Sequence, residues 1–271
     1  MERKSAPAQP EQPATQAAQP RQTRPKASAK PAQKPQPASP ASAPQQATPA
    51  PASAAAASQW ERGAPDPDYS ATEDVFTLTD PFPEYSELDA FNQAIQGCQK
   101  CPLGATRQNF VFGVGDPNAD LVLVGEAPGA EEDKIGQPFV GRAGKLLDQI
   151  LAAVDLKRGD GVYICNILKC RPPNNRDPLP SEVHECEPHL LKQLQLLQPK
   201  LIVALGRIAA QTLLRTNESL TKLREQDLVY HGIPLIVTYH PAALLRNPNW
   251  KRPTWEDVQK MKRMLDEARG N

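Results

Sequence analysis

Apolar and polar positions divide this chain into two regimes. Before Val75 there is no Val, Ile, Leu or Phe. After it apolar residues return, and four short runs stand out: Leu121–Gly125, Val162–Leu168, Leu201–Gly206 and Leu235–Tyr239. Each run is almost wholly apolar and does not alternate, which predicts strands buried on both faces. Between them apolar positions recur at helical spacing. Over Ala143–Val154, residues Leu146, Leu147, Ile150, Leu151 and Val154 share one face. Over Glu182–Leu197, Val183, Cys186, Leu190, Leu194 and Leu197 do the same, with Ser181 as the expected N-cap. Shorter patterns predict helices over Leu88–Gln96, Ile208–Leu214 and Trp255–Leu265. Alternating strand and helix with buried strands predicts an α/β fold: a central four-stranded, mostly parallel sheet covered by helices on both faces.

The first regime is a different material. Residues 1–60 contain 12 Pro and 18 Ala, half of that stretch. A segment without large apolar side chains cannot offset the entropy of ordering, so residues 1–75 are expected to form a disordered tail ahead of a domain over 76–271. Residues 61–86 read as a loose lead-in anchored by Val75, Phe76 and Leu78. Charge divides in the same way. The first 60 residues carry 7 Lys and Arg against 2 acids, and the remainder 24 against 29, so a formal net charge of zero hides an acidic domain behind a basic tail. A nucleic-acid contact on such a domain must be a local patch. No apolar stretch has the form of a secretory leader or reaches membrane-spanning length, so a cytoplasmic protein without membrane attachment is expected.

In open parallel sheets ligands bind beyond the carboxyl ends of the strands. Those ends carry Glu126 to Gly129, then Asn166 and Lys169, then Gly206 and Arg207, then His240 and Pro241. Turn residues alone account for Gly206. Glu126, Asn166 and His240 would otherwise be hydrogen-bonding groups stranded at a buried sheet edge, and together they point to one shared cleft.

Five cysteines in a reducing compartment are ligands or core residues sooner than disulfides. Cys98 and Cys101 form a close pair followed by Pro102, Cys170 closes the second strand run, and Cys186 lies in the following helix. Four thiolates suit an iron–sulfur cluster or a zinc ion, and the spacing does not choose between them. Cys165, inside the second run, is expected to be a buried thiol. His184, His189 and His231 are assigned to surface or packing roles, and neither an HExxH nor a GxSxG motif is present.

Four segments occur in a characteristic order: GEAPGAEED from Gly125, QPFVGRAG from Gln137, CNILKCRPPNNRDP from Cys165, and YHPAALLR from Tyr239. With the four cysteines interleaved, the chain from Cys98 onward resembles the iron–sulfur, or family four, uracil-DNA glycosylases. The resemblance implies a three-layer α/β/α sandwich, a structural [4Fe–4S] cluster on Cys98, Cys101, Cys170 and Cys186, and excision of uracil from DNA. It implies that Gly125, Glu126 and Ala127 line the uracil pocket and the position of the attacking water. It further assigns a hydrolytic carboxylate to Glu132, an aromatic stacking on the flipped base to Phe139, the amide reading the uracil edge to Asn166, and the donor to the uracil oxygen to His240. Glu126, Glu132 and His240 are thus the catalytic candidates.

The chemistry accounts for these residue types independently. Breaking an N-glycosidic bond develops negative charge on the base and positive charge on the sugar. Fixed donors stabilise the first and a carboxylate the second. An amide offers both a donor and an acceptor to uracil's adjacent groups. The base must leave the helix to reach such a pocket. Apolar side chains in Ala242–Leu245, with Leu244 among them, are candidates for the inserted wedge, and Arg171, Arg176 and Arg246 for phosphate contacts. The substrate is then uracil-containing DNA, the protein a monomer, and the tail a candidate docking segment for a protein partner. Two other readings compete. One is a protein that captures uracil in DNA without turnover. A related branch of the superfamily bonds covalently to uracil-bearing DNA through a histidine after the second strand, and Arg171–Pro178 contains none. The other is a metal-bearing interaction module, which leaves the cleft residues unexplained.

Overall fold

The structure is a computed structural model and describes residues 73–270. The expected disordered tail lies outside the described residues except at its last positions, and there it ends too late. Val75 is fully buried and its N–H bonds the His231 carbonyl at 2.9 Å, so the packed domain already includes it.

Six strands and nine α-helices are assigned among the described residues. Helix α1 (Leu88–Ile95) and the single turn α2 (Leu103–Thr106) precede strands β1 (Val114–Gly115) and β2 (Leu121–Gly125). Helices α3 (Ala130–Ile135) and α4 (Arg142–Ala152) lead to β3 (Val162–Asn166), and α5 (Pro180–Leu197) leads to β4 (Leu201–Leu205). Then come α6 (Arg207–Leu213), α7 (Leu220–Arg224), β5 (Leu228–Tyr230), β6 (Ile233–Thr238), α8 (Pro241–Arg246) and α9 (Lys251–Arg269).

The sheet order is β1-β3-β2-β4-β6-β5. Its four central strands are the four apolar runs and are mutually parallel. The sheet exceeds the expected four strands by two antiparallel edge strands, β1 against β3 and β5 against β6. At two and three residues, these are too short to leave a hydrophobic period in the sequence.

The reason the central runs are continuously apolar is visible in the packing. Val122, Val124, Ile202 and Ala204 face a core shared with α1, α5 and α6, while Leu121, Leu123, Ile164 and Val203 face a second core shared with α4 and α9. Both sides of each strand are covered, so neither set of alternating positions can be polar.

Helix α5 starts two residues earlier than the pattern suggested. Pro180 occupies its first turn and Leu179 its N-cap, so Ser181 is not the cap. Pro is pre-organised for that first position, and the capping task passes to Glu182, whose carboxylate accepts the Leu179 N–H at 2.9 Å. Helix α9 extends well beyond the expected span at both ends, with Pro253 tolerated in its first turn. No described helix is long and apolar enough to cross a membrane.

The loop between α3 and α4 sets the position of an aromatic ring. Phe139 adopts a left-handed conformation with φ 53°. Its carbonyl then lies so close to Gly144 that a Cβ there would meet the Phe139 oxygen at 1.7 Å. Backbone cannot yield as a flexible side chain can. Gly144→Ala is therefore expected to destabilise the domain by about 1–3 kcal/mol, as overpacking does. A lower midpoint of urea unfolding tests this, and an unchanged midpoint refutes it.

Candidate active site

Beyond the carboxyl ends of the parallel strands lies a cleft of about 770 Å³. Parallel pairing sets Gly125 of β2 opposite Asn166 of β3. The Asn166 side chain is buried, and its Oδ1 has no hydrogen-bond partner among the described residues. Such an orphaned acceptor at a cleft wall costs stability unless a ligand's donor meets it. Close approach is possible because residue 125 is glycine. A Cβ there would stand 2.3 Å from Asn166 Oδ1 and 2.8 Å from the Phe139 ring.

His240 caps α8 at the end of β6, and its Nδ1 accepts the Ala242 N–H at 3.1 Å. With Nδ1 an acceptor, the neutral ring carries its proton on Nε2 and presents that N–H as a donor. Burial, and then the charge of Arg246, lower the His240 pKa to about 4, against a smaller opposing pull from Glu132. The ring stacks on Phe139 with centroids 5.4 Å apart. Glu126, Asn166 and His240, expected to share one cleft from their strand-end positions, all line it, as do Ala127, Glu132 and Phe139.

Glu132 has a defined task as well. Its Oε1 accepts the N–H groups of Val140 and Gly141, both at 3.0 Å, and so clamps the loop that carries Phe139. The acidic start of α3 is therefore more than a solvated face. It reaches across to the start of α4.

Other expectations meet corrections. Lys169, placed at the cleft from its position after β3, is fully buried and turns toward α5, donating to the Asn166 carbonyl at 2.8 Å and Gln193 Oε1 at 2.5 Å. Leu244 is 2% exposed and packs inward, so it cannot be inserted between bases; the neighbouring Leu245 is 43% exposed. The helical turn of α8 rotates one residue in and the next out. Arg176 does border the cleft, but its guanidinium is paired twice with Glu182, at 2.9 and 2.5 Å. Burial alone would raise the Glu182 carboxyl; Arg176 and the Leu179 N–H hold it below the usual carboxylate range. Arg176 thus pins the Pro/Asn loop, Arg171–Pro178, to the start of α5. Arg171 bonds Asn175 Oδ1 at 2.8 Å, and Arg246 is exposed at the cleft.

The cysteines gather on the other side of β3. Cys170 and Cys186 are buried, Cys98 and Cys101 half-buried. Burial raises the Cys170 thiol most, and the charges of Cys101 and Cys98 raise it further, which places all three in one neighbourhood. Burial likewise pushes Cys186 up to about 12, with Cys170 and Cys101 adding to it. Sulfur-directed donors surround the group. The Lys169 N–H points at Cys186 Sγ at 3.3 Å, Arg107 at Cys170 Sγ at 3.2 Å, and His189 Nε2 lies 3.4 Å from Cys98 Sγ. Arg107 also donates to the Cys98 carbonyl at 2.6 Å. No spacing rule in the sequence singled out Arg107. Among the described residues no three His, Cys, Asp or Glu side chains close on a single point as around one ion. Cys165 is a fully buried thiol outside this group, as expected, and His189 packs against Phe82, with ring centroids 5.4 Å apart.

The family model for the uracil DNA glycosylase superfamily matches residues 112–259. A type-4 uracil-DNA glycosylase of Archaeoglobus fulgidus is 47% identical over 182 residues, covering 64% of this chain and 91% of that protein. One from Thermotoga maritima is 42% identical, covering 66% of this chain and 94% of its own length. A type-5 uracil-DNA glycosylase of Pyrobaculum aerophilum is more distant, at 32% identity over 165 residues, covering 55% and 72%. The match spans every wall of the cleft from Glu126 to Trp250, and with its extent and identity this chain belongs to the uracil DNA glycosylase superfamily, among the type-4 uracil-DNA glycosylases.

Proposed function

We propose that this chain hydrolyses the N-glycosidic bond of a uracil turned out of DNA. The observation that carries the reading is the orphaned, buried Oδ1 of Asn166 facing the same cleft as a neutral, donating His240. Uracil supplies the complement: its N3–H meets Oδ1, and the Asn166 amide N–H meets the adjacent O4. Cytosine has an unprotonated N3 and an amino group at those positions, so both contacts would be lost. On the opposite side of the base the His240 Nε2–H donates to O2.

Water attacks C1′ as the bond from C1′ to N1 breaks, and its electron pair leaves on the base as the uracil anion. The His240 donor strengthens as charge gathers on that oxygen, which is the condition for lowering the barrier and not merely for binding. Glu126 and Glu132 border the cleft as carboxylates able to favour the cationic sugar and to orient water. Phe139, held by the Glu132 clamp, closes the apolar face of the site.

The four cysteines fit a [4Fe–4S] cluster. A cubane bonds each thiolate to a different iron and so needs four sulfurs around a wider space than one ion occupies. Held by these thiolates, the cluster would act structurally, cross-linking the segment before α2, the end of β3 and α5. The substrate is uracil-containing DNA, met by a monomer in the cytoplasm, and the Pro/Ala-rich N-terminal segment is left for protein contacts.

Asn166→Ala is expected to slow single-turnover excision of uracil by about 1–3 kcal/mol of lost stabilisation, roughly five- to a hundred-and-fiftyfold. Asn166→Asp exchanges the amide donor for an acceptor and should impair uracil release while admitting some cytosine. Wild-type rates in both variants, measured on matched U- and C-containing duplexes, would sink the pocket assignment.

The depressed pKa of His240 sets the pH profile. The donating neutral form is present above about pH 4 and is lost below it, instead of being lost below the unperturbed 6.5. The excision rate should therefore be flat with respect to His240 between about pH 5.5 and 8. A rate that halves near the unperturbed value, absent in His240→Gln, contradicts this.

Anaerobically purified protein is expected to be brown, with iron and sulfide in equal amounts. Cys165→Ala should keep the colour, whereas Cys170→Ala should lose it. A colourless wild-type protein holding zinc alone overturns the cluster.

A further inference from the structure

The cleft is larger than one base requires, and part of its wall has no task in the reaction above. Past His240 its wall continues through Arg207, Thr221, Tyr239, Arg246 and Trp250. Tyr239 leaves the end of β6, and Trp250 closes a 3-10 turn, Pro248–Trp250. Their rings are stacked with centroids 5.1 Å apart and planes inclined by only 13°.

The stack is anchored from beneath. Asp257 of α9 accepts two bonds from Arg224 of α7, at 2.7 and 2.8 Å, and one from the Thr238 hydroxyl at 2.6 Å. The Arg224 guanidinium so held lies 5.2 Å from the Tyr239 ring centre. Carboxylate, guanidinium and phenol thus form a column fixed on three secondary-structure elements, with the half-buried indole of Trp250 stacked on the phenol at the cleft wall. Arg207 and Arg246, both exposed, flank that wall, and Arg207 is steadied by Gln211 at 2.8 Å. A preorganised aromatic plane beside two guanidinium groups, continuous with a pocket for a flipped nucleotide, has the chemistry of a single-strand binding groove. Every base has a face to stack, and every nucleotide brings a phosphate.

We propose that the Tyr239–Trp250 stack is a second nucleotide subsite, which takes the base adjacent to the extruded uridine while Arg207 and Arg246 hold the phosphate between them. The proposal rests on the glycosylase reading and deepens it. The protein then engages two consecutive unstacked nucleotides, so single-stranded or locally opened DNA is favoured over a firmly paired duplex.

The test uses short single-stranded oligonucleotides with one central dU. In one the base 5′ to dU is replaced by an abasic tetrahydrofuran residue, and in another the base 3′ to it. For the wild type, removing one of these two bases should lower kcat/KM by about fivefold or more, the worth of one stacked base, while removing the other has little effect. Trp250→Ala should erase that dependence, Trp250→Phe should restore it, and Trp255→Ala, exposed on α9 and outside the cleft, should behave as the wild type. A wild-type enzyme indifferent to both neighbours overturns the proposal, and this arm is decisive even if Trp250→Ala does not fold. A Trp250→Ala enzyme that keeps the dependence overturns it too. Failure to release uracil from any of the substrates overturns the glycosylase reading itself, an outcome distinct from the loss of neighbour dependence.

Discussion

Parallel pairing of β2 with β3 in one register sets Gly125 beside Asn166, and most of the site depends on that juxtaposition. It aims the Asn166 amide into the cleft against a glycine that leaves room for it. Four residues further on, the same segment delivers Cys170 to the opposite side, against Arg107. A slip of one residue would turn Asn166 into the packed layer and Cys165 or Ile167 toward the cleft, since side chains alternate along a strand. The cleft amide of Asn166 and the cysteine group are in this sense two ends of one short stretch of chain. Lys169 ties them together by donating to the Asn166 carbonyl from a fully buried position.

Around that strand end, charged groups serve mainly as internal fasteners. Glu182 fastens the Pro/Asn loop through Arg176, Asp257 fastens the Tyr239 side through Arg224, and Glu132 fastens the Phe139 loop through two backbone amides. Glu182 and Asp257 are buried, so removing Arg176 or Arg224 would leave a buried carboxylate uncompensated. The arrangement also resolves the acidity of the domain. On the proposed function, DNA would be met by a few guanidinium groups at the rim, while Glu182, Asp257 and Glu132 are spent holding the walls in place.

The four apolar runs were enough to define the parallel core, because a strand covered on both faces must be apolar throughout. Asn166, His240 and Glu126 were legible as a group for the complementary reason: polar side chains at the ends of such strands need a shared purpose. Cys165 was likewise legible as a core thiol. Short elements were not. Strands β1 and β5 and helices α2, α3, α7 and α8 are too brief to show a period, and Ser181 lost its cap position because Pro180 starts the helix earlier.

The sequence by itself determined which four central strands exist, that their ends form one cleft, and which family the motifs resemble. Only the tertiary structure decided direction. It turned Lys169 inward and Leu244 into the core, left Leu245 exposed, and committed Arg176 to Glu182. It also stacked Tyr239 on Trp250 and placed Arg107 between Cys98 and Cys170. The physical reason is common to all of these. Residue type and spacing report how much apolar surface a segment must bury. The facing of a single side chain at a helix start or strand end depends on which distant group fills the space beside it, and that is settled only when the layers pack.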